Sequence, residues 1–327
     1  MRPTIGISAG DPAGIGLEVT LKSVPEFLAS SACVLFTDRL HFERGLSVFS
    51  CQDLPLRWIT KVSEISAEPV LFLIDVPGSD ELIPWGESSP RAGQRAISYL
   101  TAASDAANRG EIHAIVTAPV SKASIGATFK GQTEFLAERA GVSEFAMAFF
   151  APTFKVVLAT VHMSLKHALS QISTERYVRL ISFVDRELQR FGFNDSRIAV
   201  AAINPHAGEG GMFGNEDMEL LAPAVEHCAR LGISVTGPHS ADSLYYRAHA
   251  GEFDVVIAPY HDQGLIPVKL IAHGESTNVT LGLRYIRTSP DHGTAFAIAG
   301  KNEADPAGMS SAIRCALDLV GAAVGKE

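Results

Sequence analysis

Short apolar runs alternate with longer amphipathic segments along this chain, and that alternation restricts the fold more than any other feature. The apolar runs predict strands at residues 4–9, 33–37, 70–75, 114–118, 156–161, 198–203 and 254–260. The amphipathic segments predict helices at residues 15–29, 91–108, 132–140, 174–191, 216–231 and 308–324. Strands separated by helices in this way are typical of a largely parallel sheet with helices on both faces. We therefore expect an α/β fold.

Three of the expected strands each lead to a histidine. His162 ends the run 156–161, His206 follows the run 198–203 after Asn-Pro, and His261 ends the run 254–260. Ligands gather at the carboxyl ends of strands in open α/β sheets. Three neutral imidazoles there would form a metal site of the catalytic type, which keeps a position open for a substrate. Asp262 follows His261 directly and is placed to orient its ring.

Length and composition exclude several classes of protein. The chain has 327 residues, which is typical of two lobes, with one large α/β domain as the alternative. A net charge of −9, without a Lys/Arg cluster, argues against a nucleic-acid-binding surface. We expect no signal peptide, and no apolar stretch reaches the roughly 20 residues that span a bilayer. Four cysteines without CxxC spacing are typical of reduced thiols, so we expect a cytoplasmic protein.

The segment 10–16 (GDPAGIG) follows the first expected strand and opens a helix. Glycines in such a turn let backbone N–H groups approach an anion at a helix N-terminus. The segment is neither GxGxxG nor a P-loop, because no GK[ST] follows. A tight turn between strand and helix explains the same residues. Both interpretations stay open at this point.

Several polar residues suit a substrate that carries phosphate or carboxylate. Lys269 and Arg287 supply cations and Asn278 supplies an amide, and Arg offers bidentate geometry. Thr133 opens an expected helix, where it is either a cap or a phosphate donor. The polar, glycine-containing segment 284–306 is either a solvated loop or a backbone shaped around a nucleotide.

Taken together, these segments resemble the 4-hydroxythreonine-4-phosphate dehydrogenase family of pyridoxal-phosphate biosynthesis. The resemblance spans nearly the whole chain. It rests on the segments 10–16 (GDPAGIG), 133–136 (TEFL), 204–209 (NPHAGE), 260–264 (YHDQG), 278–280 (NVT) and 286–294 (IRTSPDHGT).

The resemblance implies two α/β/α lobes around a cleft, as in isocitrate and isopropylmalate dehydrogenases. The first lobe would comprise residues 1–125 and 265–327 and carry the nucleotide loop. The second would comprise residues 126–264 and carry dimer contacts. The resemblance further implies a homodimer with an active site at the subunit interface. From the charge and the lengths of the apolar stretches, we expect no nucleic-acid or membrane partner.

The resemblance also implies an activity and the residues that perform it. A metal-dependent enzyme would oxidise 4-phosphooxy-L-threonine with NAD or NADP to a 3-keto acid, which decarboxylates to 3-amino-2-oxopropyl phosphate. Zinc is the metal we expect first, with Co, Mg and Mn as alternatives. The implied residues are the metal ligands His162, His206 and His261; the substrate contacts Gln132, Thr133, Lys269, Asn278 and Arg287; the catalytic residues Lys269 and Asp242; and the cofactor contacts His292, Gly293, Thr294 and Ala295.

Gln132 departs from the common pattern of this family, which has His before the Thr. Glutamine donates a hydrogen bond to phosphate but carries no proton or charge. The departure keeps two other substrate classes of the family open: 4-phospho-threonate or 4-phospho-erythronate, and an aromatic dicarboxylate dihydrodiol. A non-catalytic module that binds a phospho-ligand or a metal and a metal-dependent hydrolase are the alternatives from other classes. Reduction of NAD would separate both from a dehydrogenase.

Overall fold

The computed structural model describes residues 2–78, 81–272 and 274–324. The strands are β1 (Thr4–Ser8), β2 (Ala32–Thr37), β3 (Leu56–Ile59), β4 (Leu71–Asp75), β5 (Ala114–Thr117), β6 (Ala146–Phe150), β7 (Lys155–Leu158), β8 (Ile198–Ala201), β9 (Val235–His239), β10 (Val255–Ala258), β11 (Thr277–Leu281) and β12 (Ile286–Pro290). The helices are α1 (Gly16–Ser23), α2 (Arg39–Val48), α3 (Pro90–Asn108), α4 (Lys122–Ile125), α5 (Gln132–Ala140), α6 (Leu165–Ser170), α7 (Thr174–Arg190), α8 (Ala222–Arg230), α9 (Ala241–His249), α10 (His261–Ile271) and α11 (Ala307–Val324).

The chain divides into two compact units, which we call unit 1 (residues 2–145 and 282–324) and unit 2 (Ala146–Leu281). In unit 1 the strands lie in the order β3-β4-β2-β1-β5-β12, and every neighbouring pair is parallel. Its core packs α3 and α5 against the sheet through Leu100, Ile115 and Leu136, among other buried side chains. Unit 1 is therefore a parallel α/β unit.

Unit 2 has the strand order β11-β6-β7-β10-β8-β9. The pairs from β7 to β9 are parallel, whereas β6 pairs antiparallel with both of its neighbours. Its core includes Val156, Val256, Leu244 and Val268, which bring α9 and α10 onto the sheet. Because β7, β10 and β8 are parallel neighbours, the loops that follow them leave from one edge of this sheet.

All seven strands expected from the sequence are present, although several end one to three residues earlier than expected. The expected helix at 216–231 begins as a π-helical turn, Asp217–Leu221, before α8. Ser173 is the N-cap of α7, and its hydroxyl accepts the N–H of Arg176. Five further strands were not predicted from the sequence: β3, β6, β9, β11 and β12. Among the described residues, no helix has the length and apolar character needed to cross a membrane.

The units divide at 145/146 and 281/282, later in the chain than the lobe boundaries expected at 125/126 and 264/265. Core packing explains the positions. Helix α5 lies after the expected boundary at 125/126, yet its Leu136 and Ala137 belong to the core of unit 1. Helix α10 extends past residue 264, and its Leu265 and Val268 belong to the core of unit 2.

Candidate active site

In unit 2, two of the three strand-end histidines form a pair. The rings of His162 and His261 have centres 5.6 Å apart and are inclined by 45°. They line a pocket of about 460 Å³ together with Thr160, Tyr260 and Asp262. Two imidazoles on one tetrahedral zinc ion have ring centres about 5 Å apart, since each Zn–N bond is about 2 Å long. The spacing of the pair therefore fits two ligands of one metal ion.

A carboxylate fixes the orientation of one ring of this pair. His261 is the first residue of α10, and its Nδ1 lies 2.7 Å from Asp262 Oδ1. A hydrogen bond donated by Nδ1 places the proton on that nitrogen and leaves Nε2 unprotonated. Metal-binding histidines commonly have such a carboxylate or carbonyl partner. The role expected for Asp262 from the sequence agrees with this contact.

His206 lies in a segment with an unusual backbone. Five consecutive residues, His206 to Gly210, have φ between 45° and 84°. Three of them are not glycine, and each such residue costs about 1–2 kcal/mol in the left-handed region. We call His206–Gly210 the left-handed turn. Strain of this kind persists where surrounding contacts hold it, and it is concentrated at functional sites.

The third histidine does not join the pair within one chain. Across residues 2–78, 81–272 and 274–324, no cluster of three or more His, Cys, Asp or Glu side chains could hold a metal ion. His206 is exposed and its ring centre lies 6.3 Å from that of Phe213. The pKa of Asp242 is lowered, mainly by a 2.6 Å hydrogen bond from the Ser240 hydroxyl and to a smaller extent by the neighbouring His206. His206 and Asp242 are therefore electrostatic neighbours, and Asp242 is a carboxylate at neutral pH.

Two other expected site residues of unit 2 lie on separate elements. Lys269 is an exposed residue of α10, two turns after His261. Asn278 is half-buried on β11. Lys269 and Asn278 each make a hydrogen bond or another electrostatic interaction within the folded chain.

In unit 1, Arg287 is a buried cation beside two hydroxyl groups. It is 2% exposed on β12. Its Nη2 donates to Thr117 Oγ1 at 2.7 Å, and its Nη1 donates to Thr133 Oγ1 at 3.4 Å. Burial lowers the pKa of the guanidinium to about 10, with Tyr285 and Glu134 acting in the opposite direction, so it remains charged at neutral pH. Two hydroxyls and a buried cation at the start of a helix suit a phosphate group.

The amide of Gln132 has a defined orientation next to this group. Its Nε2 donates to the backbone oxygen of Ala118 at 3.3 Å. Its Oε1 is buried and finds no hydrogen-bond partner among the described residues. A buried acceptor of this kind requires an explanation, and a bound ligand or water supplies one.

The GDPAGIG segment is a tight turn whose N–H groups are largely used within the protein. The N–H of Asp11 donates to Pro119 O, that of Ala13 to Asp11 Oδ1 and that of Ile15 to Thr294 O. The whole segment is buried. The structure therefore favours the tight-turn interpretation over an open anion loop.

The expected cofactor loop is fixed on one side and exposed on the other. Thr294 O accepts the N–H of Ile15, and a Cβ on Gly14 would lie 2.9 Å from that oxygen. His292 and Gly293 are exposed, and Ala295 has a left-handed φ of 44°. The loop therefore has one anchored side, at Thr294, and one open side, at His292 and Gly293.

Comparison with known proteins identifies the family. The family model of the pyridoxal phosphate biosynthetic protein PdxA matches residues 29–316. The chain belongs to this family. A D-threonate 4-phosphate dehydrogenase from Pectobacterium atrosepticum is 38% identical and covers 98% of this chain and 100% of its own. A 4-hydroxythreonine-4-phosphate dehydrogenase from Aquifex aeolicus is 39% identical and covers 98% and 99%.

Solved structures agree with this membership. A 4-hydroxythreonine-4-phosphate dehydrogenase from Klebsiella pneumoniae has a TM-score of 0.87 at 37% identity and covers 98% of both chains. A β-decarboxylating dehydrogenase from Thermococcus kodakarensis has a TM-score of 0.51 at 15% identity, over 98% of this chain and 84% of its own. The second likeness concerns the fold alone and agrees with the expected isocitrate-dehydrogenase-like class.

Sequence reasoning missed two residues of these sites. Thr117 ends β5 and accepts two hydrogen bonds from Arg287. Its position at a strand end was the available signal. Asp217 is fully buried in the π-helical turn Asp217–Leu221, with no local sequence pattern that marks it.

Proposed function

We propose that this member of the family is a metal-dependent dehydrogenase that oxidises 4-phosphooxy-L-threonine with NAD or NADP. When bound, the dinucleotide would supply the acceptor for the hydride that leaves the carbon bearing the secondary hydroxyl. The resulting 3-keto acid loses CO₂ and gives 3-amino-2-oxopropyl phosphate. The buried Arg287 beside Thr117 and Thr133 is the observation that carries the proposal, because it provides a charged site for a phosphate monoester.

Arg287 and Thr133 bind the phosphate in this proposal. Replacing water by a phosphate dianion next to a buried guanidinium gives strong, charge-assisted hydrogen bonds. The N-terminus of α5, which includes Gln132, adds favourable N–H groups. Asn278 and Lys269 of unit 2 are assigned to the rest of the substrate.

In this proposal, the metal ion is bound by His162, His206 and His261. His162 and His261 fit two ligand positions by spacing and by the fixed Nδ1 of His261. His206 is the third ligand, and we propose that the set becomes complete when a second copy of the chain binds. When bound, a divalent ion supplies positive charge that favours the ionised alcohol and stabilises negative charge after loss of CO₂. Three neutral imidazoles leave that charge uncompensated by the protein.

Asp242 and Lys269 take part in removing the proton of the substrate hydroxyl in this proposal. Asp242 has a lowered pKa and is therefore ionised, so it can orient the substrate ammonium or Lys269. Lys269 relays the proton that leaves the substrate hydroxyl to solvent. The cofactor loop, His292 to Ala295, holds the dinucleotide on its exposed side.

A homodimer is part of the same proposal. Unit 2 carries large apolar side chains on its surface: Leu270 is 82% exposed, Met212 74% and Ile266 66%. Contiguous exposed apolar side chains are typical of a protein–protein contact, and Ile266 and Leu270 are one helical turn apart. Leu270 and Ile266 lie on α10, the helix that begins with His261. A second copy that covers this helix also approaches the histidines.

D-threonate 4-phosphate is the second candidate substrate. Relatives of nearly equal identity bear one name or the other, and both substrates carry a 4-phosphate. We would measure reduction of NAD and NADP with both compounds, with and without a chelator. Turnover of either, lost with the chelator and restored by zinc, supports the proposal. Failure of both compounds with metal and both cofactors contradicts it.

A further inference from the structure

The left-handed turn that carries His206 is fixed by a buried carboxylate, and we propose that Asp217 is the positioning residue for His206. Asp217 is fully buried, although carboxylates are rarely buried without dedicated partners. Its side chain is aimed at the two residues that lead from β8 into the turn. The inference rests on the proposed metal role of His206.

The contacts of Asp217 are to backbone groups. Its Oδ1 accepts the N–H of Ile203 at 2.7 Å, and its Oδ2 accepts the N–H of Asn204 at 3.0 Å. These N–H groups lie just past the end of β8, where the ladder no longer pairs them. One carboxylate thus sets the direction in which the chain leaves the sheet. His206 follows only two residues after Asn204.

Neighbouring contacts support the same geometry. Asn204 Nδ2 donates to Glu216 Oε2 at 2.8 Å, and the N–H of Phe213 donates to Gly208 O at 3.1 Å. A Cβ on Gly208 would lie 2.6 Å from Gly214 O, so the return of the loop requires glycine there. The turn is therefore enclosed by the segment that carries Asp217.

The backbone makes this anchor necessary. A run of left-handed residues is not a low-energy state for His206, Ala207 and Glu209 and persists only where the surroundings impose it. Without the two hydrogen bonds to Asp217, the entry residues are free to rotate and the turn can relax. The His206 ring would then lose its fixed direction. A ligand whose direction is not fixed binds a metal more weakly.

The test compares metal affinity in four variants of the whole chain: Asp217→Ala, Asp217→Asn, Asp254→Ala and His206→Ala. We would measure Zn²⁺ dissociation constants by competition with a chromophoric chelator, and record the absorption spectrum of the Co²⁺ form. Asp217→Ala should bind Zn²⁺ about 10–100-fold more weakly and alter the Co²⁺ spectrum. Asp217→Asn keeps one acceptor and should fall between Asp217→Ala and the wild type. Circular dichroism and melting curves establish that each variant is folded.

The control is Asp254→Ala. Asp254 also lies in unit 2 and accepts a backbone N–H, that of Arg197, at 2.9 Å, but it is remote in sequence from the turn. Its removal should leave Zn²⁺ affinity and the Co²⁺ spectrum unchanged. If Asp217→Ala does not fold, Asp217→Asn decides the question by the same two measurements.

Failure of the inference differs from failure of the proposed function. If His206→Ala weakens Zn²⁺ binding while folded Asp217 variants bind as the wild type does, Asp217 has no positioning role and the metal site stands. If His206→Ala itself binds Zn²⁺ normally, the metal assignment of His206 and the inference both fall.

Discussion

The rings of His162 and His261 lie 5.6 Å apart, and the Nδ1 of His261 lies 2.7 Å from the carboxylate of Asp262. The first distance fits two nitrogen ligands on one ion, and the second fixes which nitrogen of His261 is available. Both strands before these residues are parallel neighbours, so the pair follows directly from the sheet of unit 2.

Asp262→Asn should weaken metal binding by about 10–100-fold without removing a ligand. The carboxylate accepts a hydrogen bond from Nδ1 of His261, which leaves Nε2 available to the metal, and an amide fixes the ring less firmly. We would measure Zn²⁺ affinity by chelator competition. His261→Ala should be weaker still, and Asp254→Asn is a control outside the pocket. Equal affinity in Asp262→Asn and the wild type would show that the carboxylate is not part of the site.

Arg287→Lys should raise the KM for a phosphorylated substrate about 10–100-fold, because charge-assisted hydrogen bonds contribute about 1.5–3 kcal/mol. Lysine keeps the charge but cannot contact Thr117 and Thr133 at once. We would compare KM and kcat, and measure binding of inorganic phosphate by calorimetry. Thr133→Val is a second variant, which removes a hydroxyl and leaves the cation. An unchanged KM in folded Arg287→Lys would remove Arg287 from phosphate binding.

Ala207→Gly should raise the melting temperature of the apo protein. Alanine costs about 1–2 kcal/mol in the left-handed region, and glycine avoids this at an entropic cost of about 0.5–1 kcal/mol. The net gain of about 0.5–1 kcal/mol corresponds to a rise of about 2 °C. Ala229→Gly on the exposed face of α8 is the matched control and should lower the melting temperature. A loss of stability in both variants would show that Ala207 is not strained.

Hydrophobic patterning was sufficient to predict seven strands of the parallel regions, because strands such as β5 and β8 are buried on both faces and form continuous apolar runs. It was insufficient for β9, whose sequence Val-Thr-Gly-Pro-His contains two residues that weaken strand predictions. The antiparallel β6 and β11 pair over a long sequence separation. That pairing depends on the fold and not on a local pattern.

Part of the site could also be predicted from the sequence. The position of two histidines at the ends of neighbouring strands predicted that they lie close together, because parallel strands end at a common edge of the sheet. His162 and His261 do lie together. Asp217 was not predictable, since its function depends on two backbone N–H groups more than ten residues earlier. The backbone of the left-handed turn was not predictable either, because alanine and glutamate rarely adopt it.

Trp85 should report binding at the cofactor loop. The Trp85 ring packs closely on Gly300, because a Cβ on that glycine would lie 2.3 Å from the ring. Gly86, which follows Trp85, donates its N–H to Ala13 O. NADH or NADPH bound at this loop should quench tryptophan emission near 340 nm and gain sensitised emission. The chain has two tryptophans. Trp85→Phe should lose most of the signal, whereas Trp58→Phe should keep it. The reverse result would place the dinucleotide elsewhere.

Asp11 predicts a pH-dependent difference in stability. It is fully buried, and its Oδ1 accepts the N–H of Ala13 at 2.9 Å. Burial raises the pKa of this carboxyl by more than the Ala13 N–H, the Ser124 hydroxyl and the Ser121 backbone lower it. Because the folded pKa lies above the unfolded value, the unfolded chain releases this proton more readily. Stability therefore falls as the pH rises from about 4, the unfolded value, through the folded pKa.

Asp11→Asn removes that loss while keeping an acceptor for the Ala13 N–H. At pH 7 the variant should melt at a higher temperature than the wild type. The difference should shrink as the pH is lowered toward 4, because the wild-type carboxyl becomes neutral there as well. Melting curves from pH 4 to pH 8 measure this directly. Glu111→Gln is the control, since Glu111 is an exposed carboxylate paired with Arg109, and its pKa is lowered and not raised. A difference between Asp11→Asn and wild type that is constant with pH, or a less stable variant at pH 7, would mean that the buried carboxyl does not carry this free-energy cost.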